Sequence, residues 1–154
     1  MRRVTAIPLT TAVALLALAG CERYSLDRQM EELCKKDGGV KVYETVTLPP
    51  NQFETLKSYA TTARATEDYY GPNYRFVSKR EILVGRDAKA ETGEGQLARL
   101  YWAIFRRSDN RLLGEQIEYR RNGGDAFTFG FQPSSNSCPR VDRGVAGAVF
   151  IKGE

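Results

Sequence analysis

Two alternating runs, Leu97 to Arg107 and Leu112 to Arg121, constrain this chain more than any other feature. Each places apolar residues at every second position, the period of a strand with one buried face. Only a few residues separate them, so they predict an antiparallel hairpin. With Asp109-Asn110 as a two-residue turn, Ser108 faces Arg111 and the register follows by counting. Leu100 then opposes Tyr119, Trp102 opposes Ile117, Arg106 opposes Leu113, and Phe105 covers Gly114. One face reads Leu100, Trp102, Ile104, Ile117 and Tyr119 and belongs in a core. The other sets Tyr101 against Glu118 and Arg99 against Arg120, a polar face that carries aromatics. A lone hairpin is marginal in water, so further strands or helices must cover the apolar face.

The rest of the chain supplies them. Ser25 reads as an N-cap, Leu26, Met30, Leu33 and Cys34 share a helical face, and Gly38-Gly39 stop the helix. Val40 to Leu48 reads as a strand with Val40, Val42, Val46 and Leu48 on one face, interrupted by Glu44. A buried carboxylate is costly unless paired, so Glu44 is either held by an arginine or catalytically perturbed. Pro49-Pro50 end that strand. Asn51 to Glu54 has the form of a capping box, and Phe53, Leu56, Ala60 and Ala63 predict a second helix over Gln52 to Arg64. Arg75 to Val84 reads as another strand and Gly85 to Gly95 as a polar connection. Phe127 to Phe131 reads as a short strand with three phenylalanines on one side, Gln132 to Arg143 as a loop, and Val145 to Ile151 as a final strand. The expected fold is a single α+β domain over 25–154, with two helices packed on one face of a four- to six-stranded antiparallel sheet.

Upstream, Arg2 and Arg3 precede an apolar run from Ala6 to Ala19 that is too short for a stable bilayer span. It ends in Leu18-Ala19-Gly20-Cys21, which resembles the bacterial lipoprotein signal class at all four positions of its cleavage motif. The resemblance covers Met1 to Cys21. It implies that residues 1–20 are removed, that Cys21 carries diacylglycerol on sulfur and an acyl chain on nitrogen, and that the chain faces the periplasm anchored in a membrane. An ordinary secretory signal fits less well, because Leu18 stands where such a site needs a small residue. Val4, Thr5 and Ala6 do not complete a twin-arginine signal. Residues 21–24 are expected to form a short tether of roughly 10 Å reach. Glu22 after the lipidated cysteine resembles lipoproteins forwarded to the outer membrane.

Beyond the signal, 21 basic residues meet 19 acidic ones, a net charge of +2. Arg106-Arg107 and Arg120-Arg121 read as solvated strand ends rather than a nucleic-acid surface. With Cys21 given to lipid, Cys34 and Cys138 remain as an even pair in an oxidising compartment and are expected to form one disulfide. Without a CxxC spacing they do not suggest redox catalysis.

The chain has no histidine, which removes Ser-His-Asp and Cys-His catalysis and the commonest zinc ligands. Gly93-Glu94-Gly95 lacks the Lys-Ser/Thr of a phosphate loop. No cofactor or metal is expected. Glu44, Glu81, Glu115 and Glu118 are the strand-borne carboxylates from which a glycan hydrolase could draw its pair. Glu67 to Tyr74 is a loop with three tyrosines around Gly71-Pro72. Tyrosine gives rigid amphipathic contact area, and it also packs against its own sheet. Tyr69, Tyr70, Tyr74, Tyr101, Arg99 and Arg120 are therefore the candidate partner-binding residues. They suit a non-catalytic binding or scaffold module that holds an envelope protein near the bilayer. The alternatives are an inhibitor or immunity lipoprotein, presenting Asp68 to Tyr70 or Asn122 to Asp125 to a foreign active site, and a cell-wall hydrolase. Oligomeric state is left open.

Overall fold

The computed structural model describes residues 21–62, 66–86, 94–125 and 133–154. It contains mixed helix and strand built on a mainly antiparallel five-stranded sheet with three helices. The first helix, α1, spans Cys21–Asp37 and so begins four residues before Ser25. Residues 21–24, expected as a tether, are its first turn. Ser25 lies inside the helix, where its hydroxyl accepts from Gln29 Nε2 at 3.2 Å. Gly38 and Gly39 do end it. A Cβ on Gly38 would come within 2.7 Å of the Cys34 carbonyl oxygen and 3.0 Å of Cys34 Sγ, and Gly39 takes φ +121°. Glycine alone fits both demands.

The predicted strand over 40–48 is two strands. β1 (Gly39–Val42) runs antiparallel to β5 (Arg111–Gly123). β2 (Val46–Leu48) leaves the sheet and pairs in parallel with β7 (Phe150–Lys152). The break falls at Glu44, the residue that spoils the apolar alternation. The N–H groups of Tyr43 and Glu44 both donate to the Leu113 carbonyl, at 2.8 and 3.1 Å, and the carboxylate turns outward to two arginines. Helix α2 spans Pro50–Thr62. Pro50 takes the first helical position, where its missing N–H costs nothing, so no Asn51 cap is needed.

β4 (Gly95–Arg106) and β5 form the centre of the sheet and β3 (Tyr74–Val84) its edge, in the order β1-β5-β4-β3, with β6 (Ser135–Cys138) also on β5. The hairpin exists, but its register differs from the predicted one, by two residues beside the turn and by one from Ile104 onward. Arg107 to Asn110 make a four-residue turn that Arg106 and Arg111 close. Asp109-Asn110 lacks the glycine a tight two-residue turn needs, and only Asn110, at φ 54°, enters the left-handed region. An irregularity between Ile104 and Phe105 then leaves Leu113 bulged. As a result Leu100 opposes Glu118, Trp102 opposes Gln116, Tyr101 opposes Ile117 and Arg99 opposes Tyr119.

Because successive strand side chains point to opposite faces, this register divides the core in two. Trp102 and Ile104 point to one face, with Phe76, Leu113, Val145, Val149 and Phe150. Leu97 and Tyr101 point to the other, with Ile117, Tyr119 and the α1 residues Leu26 and Met30. Phe53 and Leu56 of α2 pack against the first cluster. The helices therefore cover both faces, which corrects the expectation of two helices on one. The predicted final strand over 145–151 is a short helix, α3 (Val145–Val149), running directly into β7. Val145 and Val149, one helical turn apart, are both buried, and a seven-residue apolar run is readable at either period. Close approach of α3 to the sheet depends on Gly114, where a Cβ would lie 2.6 Å from Val149 Cγ2.

Cys34 and Cys138 are disulfide-bonded, with Cα atoms 6.0 Å apart, and join the end of α1 to the end of β6. The expected phenylalanine strand over Phe127 to Phe131 lies outside the described residues.

Candidate functional site

The tyrosine loop is fixed to the sheet at both ends. Phe76 N–H donates to the Glu67 carbonyl at 2.8 Å, Gly71 N–H donates to the Asp68 carbonyl at 2.8 Å, and Arg107 reaches the Tyr74 carbonyl and the Asp68 carboxylate. Gly71 takes φ +82° at the turn. The rings then pack inward. Tyr69 stacks on Phe76 at 5.3 Å, Tyr70 meets Tyr69 edge-on at 4.9 Å, and Tyr74 meets Phe150 edge-on at 4.7 Å. Such pairs contribute about 0.5–1.5 kcal/mol each beyond area burial.

Tyr70 is the ridge between two grooves. One, of about 270 Å³, lies over the middle of the sheet between Tyr69, Tyr70 and the start of α3, floored by Phe76, Trp102 and Gln116. The other, of about 290 Å³, lies between Tyr70, Tyr74 and the first two turns of α2. Gln116 is held in place by accepting the Val145 N–H at 2.9 Å on Oε1. Among the described residues the Tyr70 hydroxyl has no hydrogen-bond partner and no buried polar side-chain atom is unpaired, so this hydroxyl is accessible where Tyr70 lines the grooves. Burial first, and then the neighbouring Tyr69, push its pKa up to about 12. It is therefore a neutral donor and acceptor at any physiological pH.

The six residues expected to bind a partner do not meet in one patch. Tyr69, Tyr70 and Tyr74 surround these grooves. Tyr101 and Arg99 lie on the opposite face against α1, with Arg99 over the Tyr101 ring at 5.6 Å and 3.8 Å from Asp37. Arg120 lies apart again, bonded to Glu118 at 3.0 Å and lining a polar cleft with Ser135, Asn136, Ser137 and Arg140. Arg120 does not face Arg99, as the shifted register requires. Trp102 and Gln116 were not expected as site residues. Whether they share a groove depends on a one-residue count of register, which sequence alone got wrong.

The arginine pairs form no basic patch. Arg106 binds Glu44 and Asp109, and Arg107 binds Asp68. Arg121, far from being a solvated strand end, is 1% exposed. The carboxylates are similarly engaged. Glu44 is Arg-paired: Oε1 lies 2.5 Å from Arg106 Nη1 and Oε2 lies 3.1 Å from Arg111 Nε. The Arg106 hydrogen bond holds its pKa below the usual carboxylate range, the opposite of what a general acid needs. Glu115 accepts from the Tyr43 hydroxyl at 2.7 Å. Glu115 and Glu118 point to opposite faces of β5. Glu81 pairs in register with Arg99 and so lies two strands and four residues from Glu115, roughly 16 Å at ordinary sheet spacings. A glycosidase pair sits at about 5–9.5 Å. Asp68 is bonded to Arg107, and Asp125 to Ser134 and Arg23, so neither loop suggested for an inhibitor extends a free carboxylate.

Among the described residues no helix is long and apolar enough to cross a membrane, and no three His, Cys, Asp or Glu side chains gather as metal ligands. No known protein family, curated protein or solved structure matches the chain.

Proposed function

We propose that this chain is a lipid-anchored protein of the bacterial envelope, facing the periplasm. Its function is that of a non-catalytic binding or scaffold module holding an envelope component near the bilayer, with the grooves beside Tyr70 as its site. The observation that carries this reading is the distance between the two ends of β4. At one end, Glu22 of α1 accepts the Gly95 N–H at 3.2 Å, and a Cβ on Gly95 would overlap Leu26. The helix that starts at Cys21 therefore fixes the lipid-bearing residue to this end. At the other end, Ile104 and Arg106 pair with Phe76 and Tyr74 beside the grooves. Ile104 lies nine steps along the strand from Gly95, roughly 30 Å. An acylated Cys21 would thus orient the grooves away from the membrane. A tether raises effective concentration, so modest affinity suffices. Glu22 next to the lipidated cysteine favours the outer membrane.

The test is made in intact cells. Cys21→Ser should move the chain from the membrane to the soluble fraction. A photo-crosslinking residue at position 70 should give a discrete adduct that the same residue at position 28, on the exposed face of α1, does not. Unchanged membrane association of Cys21→Ser, or identical adducts at 70 and 28, would overturn the reading.

A further inference from the structure

We infer that the two grooves bind an uncharged glycan chain laid across Tyr70, a ligand class that deepens and rests on the binding-module reading above. Charged residues make up 27% of the chain. None of the eight and ten described residues that line the two grooves is charged. Among these described residues a charged ligand would find no counter-charge, a costly arrangement. The lining instead combines aromatic rings, Tyr69, Phe76 and Trp102 on one side and Tyr74 on the other, with neutral groups that both donate and accept, Gln116, Asn51, Gln52, Thr55 and Asn73. A pyranose ring has the matching chemistry: a flat face of C–H groups for an aromatic ring and a rim of hydroxyls for amides and phenols.

Shape gives the second argument. Each groove, at 270 and 290 Å³, is at the small end of ligand pockets, which run about 300–1,000 Å³. Two small grooves that share Tyr70 as their ridge fit consecutive small units of a chain better than one bulky ligand. Tyr70 stands where the linkage would cross, with its hydroxyl unpaired among the described residues. A peptide of neutral side chains fits less well. Extended peptides gain affinity by adding to a free strand edge, but Trp102 and Gln116 belong to strands paired on both sides, and on the edge strand β3 the Phe76 N–H already donates to the Glu67 carbonyl at 2.8 Å.

The chain has one tryptophan, Trp102, and it lines the first groove, so intrinsic fluorescence reports on the site directly. Full-length mature chain is titrated with tri-N-acetylchitotriose and with maltotriose, and with tri-galacturonate as the charged control. At least one uncharged trisaccharide should change Trp102 emission saturably below about 10 mM, while the charged one does not. Tyr70→Phe removes only a hydroxyl that no described protein group uses, so the fold is kept, and the apparent Kd should rise about five- to tenfold. Tyr24→Phe, remote and exposed, should leave it unchanged. The inference is overturned if neither uncharged trisaccharide saturates, if tri-galacturonate binds as well, or if Tyr70→Phe matches the unaltered chain. The position-70 crosslink separates the two levels. A negative titration with a single protein adduct at position 70 overturns the glycan but leaves the binding module standing. A negative titration with no adduct removes both.

Discussion

Arg121 donates from Nε to Asp27 Oδ1 at 2.9 Å, joining the fifth strand to the first helix from a position only 1% exposed. Its Nη1 also donates to the Gly123 carbonyl, the Ser134 carbonyl and the Ser134 hydroxyl, at 2.9, 2.9 and 2.7 Å. One guanidinium thus ties together the first helix, the end of the fifth strand and the segment at Ser134, a junction that Asp125 also bridges through Arg23 and Ser134. Arg121→Ala removes the charged donor from two carbonyls and a carboxylate. Among the described residues it leaves Asp27 hydrogen-bonded only to Asn136 Nδ2 and the Ser134 carbonyl only to the Gly123 N–H, and it should cost about 2–4 kcal/mol in urea unfolding. Arg121→Lys should recover less than half of that, because an ammonium cannot reproduce the planar fork.

The disulfide closes a loop of 104 residues. In the chain-entropy description a loop of about this length contributes up to about 4.7 kcal/mol, and native disulfides typically contribute about 2–5. Cys34→Ser/Cys138→Ser, or reduction of the unaltered chain, should lower Tm by the same amount in each case. A reductant that leaves Tm unchanged would show that the pair is not bonded in solution.

Gly114→Ala tests the seat of α3. The added carbon would lie 2.6 Å from Val149 Cγ2 and 3.1 Å from the Lys41 carbonyl oxygen. Neither neighbour is the free end of a flexible chain, so overpacking of about 1–3 kcal/mol is expected, read as a lower Tm. Because α3 also walls the first groove, the emission maximum of Trp102 should shift in the same variant.

Glu44 gives a pH dependence of known sign. Its folded pKa is held below the ordinary carboxylate value, chiefly by the Arg106 hydrogen bond. The stabilisation is therefore present above the unfolded pKa of about 4.3 and fades as pH falls through the lower folded value. The stability difference between the unaltered chain and Glu44→Gln, measured by denaturant unfolding from pH 7 to pH 2, should be constant near neutrality and shrink below about pH 4. A difference that grows on acidification would contradict this assignment.

What the sequence revealed, and what it did not, follows from how local each signal was. The buried face of the first helix, Leu26, Met30, Leu33 and Cys34, was legible because helical spacing needs only its own segment, and all four pack in one cluster. Its start was not. The signal motif ends at Cys21, and Ser25 four residues later looked like a cap, but Glu22 and Arg23 make tertiary contacts with Gly95 and Asp125 that extend the helix back to Cys21. The hairpin strands were legible, and their register was not, since it hinged on a turn without glycine and a bulge at Leu113. The grooves were hidden by the same miscount: moving Trp102 opposite Gln116 instead of Ile117 turns a core residue into the floor of a site. The break at Glu44 was half legible, as an anomaly whose resolution lay in arginines more than sixty residues away.

The parallel pairing of β2 with β7 has a consequence for how the chain comes to be folded. Val46 and Leu48 are synthesised early, and their ladder partners Phe150 and Lys152 arrive only after every other described element. β1 likewise must wait for β5, and Cys34 for Cys138. Contacts of such long sequence separation are slow to form, and the β2–β7 ladder cannot form at all on a nascent chain still short of its last described strand. The emerging polypeptide therefore carries β2 without its ladder partner until its last described strand has arrived, however early the central hairpin closes.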